Sequence, residues 1–218
     1  MVVTTIAGPS DEVRVPGSLR VSGNINVGGA TTGVARTHLT QDALKAYPLE
    51  PELWKVHDDM DTPLPSTPLT DDLGLVGGAF GTATPTLQTE DLKAAGATSN
   101  YARRTFVLPP EYDAAQTVTL RVHAGMLTTI ADTTAVVDVE VYKSDREAGV
   151  DGADLCATAA QDINNLTPAD KDFTITPTSL SPGDILDIRI TTTVTDAATG
   201  TAVAALIGAV EMLLDIKG

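Results

Sequence analysis

The chain predicts an all-β protein: an antiparallel, jelly-roll-like β-sandwich preceded by an extended N-terminal arm and an irregular strap. Three observations lead there. From about Thr117 to Gly218, apolar and polar residues alternate in run after run, and a period of two places them on opposite faces of strands. Aromatic residues make up only 4% of the 218 residues, so the core must rest on Val, Ile, Leu and Ala, with Thr on the strand faces. Such side chains suit a pleated surface. Pro, Gly, Asn and Asp separate the runs at the spacing of a sandwich, and no run has the length and period of a long helix.

Residues 1–36 form the arm. Leu19, Val21, Ile25 and Val27 alternate around Ser22-Gly23-Asn24, which fits a hairpin or one rung of a β-solenoid. A segment this short cannot bury its own apolar face, so these four residues are expected to pack against a partner. Residues 37–100 form the strap. A short helix is expected from Thr40 to Pro48, with Leu39, Ala43 and Tyr47 on one side. Pro51 opens a second turn carrying Leu53 and Trp54, which are further candidates for partner contact. Pro63, Pro65, Pro68 and four glycines between Gly74 and Gly81 then interrupt regular structure. Thr89-Glu90-Asp91-Leu92 reads as a capped helical turn ended by Gly96. A strap of this length is expected to run over a partner or a neighbouring subunit.

Residues 101–218 supply the sandwich. Strands are expected at 104–108, ended by Pro109-Pro110, and at 116–127, with Val118, Leu120, Val122, Ala124 and Met126 inward. Another runs from 134 to 143, with Ala135, Val137, Val139 and Val141 inward and Asp138 and Glu140 outward. After a loop at 144–165 holding a short strand near Cys156, residues 172–178 are expected to pair with 183–195 through Leu180-Ser181-Pro182-Gly183. In that partner strand Leu186, Ile188, Ile190 and Val194 face in while Asp187, Arg189 and Thr191 face out. The last strand carries Leu206, Val210, Met212, Leu214 and Ile216 on one parity. Two packed antiparallel sheets follow, with a jelly roll the first choice because its long connections match these loops.

Charge narrows the partners. Fourteen Lys and Arg against 29 Asp and Glu give a formal charge of −15, which repels phosphate backbones and disfavours nucleic acid. The longest apolar run, 202–210, is too short for a membrane-spanning helix, and the first residues lack the basic and apolar regions of a signal peptide. The expectation is a soluble protein made in a cytoplasm, without membrane association. Cys156 is the single cysteine, so no disulfide can form within the chain, and its small neighbours suit a buried thiol.

Motifs of catalysis are missing. The 74–81 glycine cluster has neither P-loop nor dinucleotide-binding spacing, and His38, His57 and His123 are far apart in sequence. No G-x-S-x-G elbow occurs. The acidic runs at 58–61 and 151–154 lack EF-hand spacing and read as solvated loops, so neither metal nor cofactor is expected, nor enzymatic activity. Sugar-binding sandwiches rely on planar aromatics; here Trp54 lies in the strap, while Tyr101, Tyr112 and Tyr142 offer single rings.

Five stretches carry a family resemblance. They are Thr86-Leu87-Gln88-Thr89-Glu90-Asp91-Leu92-Lys93-Ala94-Ala95-Gly96-Ala97 with Phe106-Val107-Leu108-Pro109-Pro110-Glu111-Tyr112, then Asp172–Pro177 with Ser181–Arg189, and the ending Leu213–Gly218. Together they resemble virion structural proteins of tailed bacteriophages, most of all capsid decoration, or cement, proteins. The resemblance implies a jelly-roll domain, a homotrimer on the capsid exterior, and an arm gripping the major capsid protein. It brings no catalytic residues. A tail, collar or fibre component is the alternative within the same kind of virion, and a carbohydrate-binding module the alternative outside it.

Overall fold

Alternating strands with one apolar face must bury that face against a second sheet. The computed structural model, which describes residues 44–197 and 200–217, does this with eleven strands among the described residues. The first three are β1 (Lys45–Pro48), β2 (Gly74–Val76) and β3 (Thr86–Gln88), followed by the long β4 (Gly96–Val107), β5 (Val118–Met126) and β6 (Thr134–Ser144). Then come the short β7 (Val150–Asp151) and β8 (Gln161–Asp162), and finally β9 (Ala169–Ile175), β10 (Ile185–Asp196) and β11 (Ala205–Leu214). One sheet runs β2–β3–β11–β5–β9, with β1 also on β11; the other runs β4–β10–β6, with β7 and β8 both on β6. Every ladder is antiparallel. Setting β3–β11–β5–β9 opposite β4–β10–β6–β8 gives the jelly-roll order.

The inward parity of the central strands is as read from the sequence. Val118, Leu120 and Val122 of β5, Ala135, Val137 and Val141 of β6, and Leu186, Ile188 and Ile190 of β10 are completely buried. Removing these aliphatic faces from water is the main force closing the sandwich, at roughly 1.5–3 kcal/mol for each large side chain. All described residues belong to one compact unit, Arg36–Gly218.

Several local expectations are corrected. The helix expected up to Pro48 is strand β1 in its described part, because Lys45–Pro48 finds a free stretch of β11 from Glu211 to Leu214. Thr89–Leu92 is extended rather than helical: the Leu92 N–H donates to the Val203 carbonyl, and the Thr89 hydroxyl accepts the Ala205 N–H. β4 starts at Gly96, eight residues earlier than expected, since the whole length of β10 is available to pair with it. The expected hairpin between 172–178 and 183–195 does not form. β9 pairs with β5 and β10 with β4 and β6, so the 176–184 connection crosses between sheets, pinned by buried Leu180. A bulge between Ile207 and Ala209 reverses the parity of β11, putting Ala205 and Ile207 inward before it and Val210, Met212 and Leu214 after it. Leu206 therefore faces out.

The strap is stitched into the sandwich. A 3₁₀ turn at Pro51–Leu53 leads to Trp54, only 1% exposed, while Leu53 is 51% exposed. Lys55 and Arg103 exchange backbone hydrogen bonds of 2.9 and 3.0 Å, and the Leu73 N–H donates to the Tyr101 carbonyl. These contacts cover the outer edge of β4. At the opposite edge of the molecule, the Ala157 N–H donates to Thr174 and the Thr176 N–H to Leu155, so β9 is covered as well.

A polar latch fixes β1. The Tyr47 hydroxyl (2.8 Å) and the Lys45 ammonium (3.0 Å) both donate to Glu111 Oε1, and these bonds hold the Glu111 carboxyl at about 2, below its ordinary 4.5. A depressed carboxylate contributes stability above its unfolded value and loses it as pH falls through its folded one. Glu111→Gln is expected to lower the melting temperature near neutral pH. The gap to wild type should close between about pH 4.5 and 2, read by thermal melts across that range.

Candidate functional site

Register decides which outward residues meet. In the β4–β10–β6 sheet, Asp187 lies between Thr105 and Tyr142, Arg189 between Arg103 and Glu140, and Thr191 between Tyr101 and Asp138. Three adjacent strands thus line up charged and aromatic side chains in rows on the solvent face. From the strap, His57 adds its ring, with its centroid 4.5 Å from that of Tyr101.

These side chains line a groove with two lobes. One, of about 290 Å³, is lined by His57, Arg103, Glu140, Tyr142, Val150, Asp187 and Arg189. The second, about 370 Å³, shares Arg103, Val150 and Asp187 and continues toward Ser144–Gly149. Ion pairs hold the groove in shape. The Arg103 guanidinium donates through Nε to Asp187 Oδ1 (2.8 Å) and through a terminal nitrogen to Asp187 Oδ2. Another terminal N–H reaches the His57 carbonyl at 3.4 Å. Arg189 donates to Glu140, and its guanidinium carbon lies 5.3 Å from the Tyr101 ring centre. Asp72 anchors His57, with its Oδ1 3.1 Å from the ring Nδ1 and accepting the His57 N–H at 3.3 Å.

The first lobe balances two guanidinium groups against two carboxylates, so its formal charge is zero within a chain of −15, while the second lobe adds the carboxylate of Glu147. Fixed, paired donors and acceptors beside planar rings can satisfy hydroxyl groups while the rings cover C–H faces. They offer no isolated charge to a charged ligand.

Trp54 is in the core of its own chain and Leu53 is at the surface; Leu19, Val21, Ile25 and Val27 lie outside the described residues. Of the three tyrosines, Tyr112 is fully buried, its hydroxyl donating to the Gln116 carbonyl and pushed up to about 12 chiefly by burial. Tyr101 and Tyr142 share the solvent face described above. His57, Arg103, Glu140, Asp187 and Arg189 were not visible as a site from sequence, although the outward parity of Glu140, Asp187 and Arg189 was.

Other candidates resolve into structure. Burial pushes the Cys156 thiol up to about 11, so it is protonated at neutral pH. Asp154 Oδ1 accepts the N–H groups of Val141 and Cys156, which uses that carboxylate to fix a turn. No group of three or more metal-ligating side chains occurs among the described residues, and no described helix is long and apolar enough to cross a membrane. On the outer face of the other sheet, Arg121 makes a bidentate pair with Asp172 (2.7 and 2.8 Å), and His123 lies 2.7 Å from Asp170. Arg121 holds the Asp172 carboxyl below its ordinary range.

No family model matches the chain, and no curated protein matches it. Among solved structures it is similar to TmCBM61 in complex with beta-1,4-galactotriose, at 9% identity and a TM-score of 0.38, covering 65% of this chain and 81% of that one. It is also similar to the CBM22-1 xylan-binding domain of Paenibacillus barcinonensis Xyn10C, at 13% identity and a TM-score of 0.39, covering 67% and 82%. A third likeness is to the enzymatically active domain of tailspike protein 4 of bacteriophage CBA120, at 9% identity and a TM-score of 0.37, covering 66% of this chain and 18% of that one.

Proposed function

We propose that this chain is a non-catalytic binding module that takes a neutral carbohydrate chain in the groove across β4, β10 and β6. The observation that carries the reading is the zero formal charge of the groove's first lobe, built from Arg103–Asp187 and Arg189–Glu140 beside Tyr101, Tyr142 and His57. An anionic ligand meets the field of a −15 chain, and an apolar one strips water from two ion pairs without replacing its hydrogen bonds. A neutral polyol avoids both costs. Lobes of about 290 and 370 Å³ lie at the lower limit of small-ligand sites, roughly 300–1,000 Å³. A glycan array probed with the full chain, followed by calorimetry on the best hits, tests this. Binding to neutral oligosaccharides that is insensitive to salt is expected; an array with nothing above background removes the reading.

A second reading comes from the sequence resemblance: a trimeric virion protein on the capsid exterior, contacting the major capsid protein through residues 1–36. What favours it is apolar surface outside the groove, with Leu53 at 51% exposure and Phe80 entirely in solvent. Deleting residues 1–36 is expected to abolish attachment to particles while the remainder keeps its β circular dichroism. Full occupancy by the truncated chain would sink the arm's role. Mass spectrometry of purified particles separates cement, in hundreds of copies, from a tail component in a few. The two readings are compatible, since a virion surface is one place for a glycan-binding module.

A further inference from the structure

The hairpin between β2 and β3 holds an aromatic ring in water. Phe80 is the most exposed large apolar side chain among the described residues, at 105%, whereas Phe173 is fully buried. Its presentation is built rather than incidental. The Ala79 carbonyl accepts the N–H groups of Thr82 and Ala83, each at 3.0 Å, and the Thr82 hydroxyl at the same distance, while the Gly78 N–H donates to Ala83. Gly77, Gly78 and Gly81 have φ of +94°, +88° and +77°, a conformation that side chains resist, so these glycines are what let the turn form. From Leu73 to Thr89 the sequence carries no charged residue, in a chain of formal charge −15.

A recess lies beside the base of the same hairpin. It holds about 690 Å³ and is lined by Pro68, Val76, Leu127 and Ala204, together with Glu90 and Asp91. Leu127 is 43% exposed. Phe80 does not fill this recess in its own chain, since its ring is wholly exposed.

We propose that the Phe80 hairpin of one copy seats in this recess on a second copy of the same chain. Charge favours that occupant. Two chains of −15 repel over most of their surfaces, and an uncharged hairpin is the part that can approach Glu90 and Asp91 without opposition. An anionic membrane, the other obvious host for an exposed ring, is disfavoured by the same net charge. Knob and recess lie side by side, so the contact either is exchanged reciprocally in a two-fold dimer or repeats head to tail and closes a ring where the rotation allows. The inference needs neither the glycan reading nor a virion, though it would supply a contact for a trimer.

Complementation between variants tests it. Full-length wild type, Phe80→Asp and Leu127→Glu are compared by sedimentation velocity at rising concentration, with circular dichroism to confirm folding. Wild type is expected to associate, and each variant alone to associate at least about tenfold more weakly, as for loss of an interface anchor. An equimolar mixture should form a dimer and nothing larger, because the intact recess of Phe80→Asp can accept the intact Phe80 of Leu127→Glu. Should Leu127→Glu fail to fold, Thr128→Glu, at an exposed position lining the same recess, replaces it. A wild-type chain that stays monomeric, or a Phe80→Asp chain that associates like wild type, overturns the proposal. Vesicle flotation of wild type but not Phe80→Asp would overturn it in favour of a lipid surface.

Discussion

Trp54→Ala is expected to lower the stability of the sandwich by about 3–5 kcal/mol, the cost of emptying a large aromatic site in a close-packed core. Trp54 is 1% exposed and borders a small recess with Leu49, Leu87, Ile207 and Val210, where the strap crosses the stretch of β11 between β1 and β3. Those neighbours come from three separate parts of the chain, so they cannot all close on the void. For a domain of this size such a loss lowers the melting temperature by roughly 10 °C. Circular dichroism is the measurement for the variant. Wild type reports on itself, since its single Trp should emit at short wavelength when folded and shift to the red on unfolding. Trp54→Phe should cost much less, because the indole N–H has no partner to lose. A Trp54→Ala melt within 2 °C of wild type, an order-of-magnitude threshold, would show that the strap contributes little to the core.

In the groove, Tyr142→Ala and Asp187→Ala are each expected to weaken glycan binding at least tenfold, about 1.4 kcal/mol. The tyrosine supplies a ring over which a sugar face can lie. Asp187 supplies acceptors and also holds Arg103, so its removal releases the guanidinium of a side chain that is 34% exposed. Tyr142→Phe keeps the ring and should retain most of the affinity, which separates stacking from hydroxyl chemistry. Thr119→Ala, on the outer face of the other sheet, serves as control. Calorimetry with the best array glycan decides. Unchanged affinity in both groove variants would place the ligand elsewhere.

Much of the architecture was legible in the sequence because a period of two is a local property. The inward sets of β5, β6 and β10 follow from it directly. What periodicity cannot say is which strand lies beside which. Asp172–Ile175 has the pattern of a strand whether it pairs with β10 or, as it does, with β5. Parity also fails at a bulge: the reversal at Gly208 moved Leu206 to the outside with no change of composition to announce it. The strap misled for a different reason. Its prolines and glycines exclude long elements, yet bridges as short as Lys55 to Arg103 suffice to bind it to a sheet edge.

The groove shows the same limit. That Glu140, Asp187 and Arg189 face water could be read strand by strand. That Arg103, Arg189 and Glu140 share one row depends on two registers between segments tens of residues apart. The approach of His57 to Tyr101 depends on the path of the strap. A binding surface made of a sheet face has no motif, because its neighbours in space are never neighbours in the chain.

The pairing of the first described strands with the last sets an order on synthesis. β1 and β3 both hydrogen-bond to β11, which is made after every other described strand. Until β11 leaves the ribosome, β1 and β3 lack that partner, and β5 has only β9 beside it. The sheet that carries β1, β3 and β5 closes only once β11 has emerged, when loops spanning more than a hundred residues must close together. The seat of Trp54 beside Val210 is therefore among the last places to form.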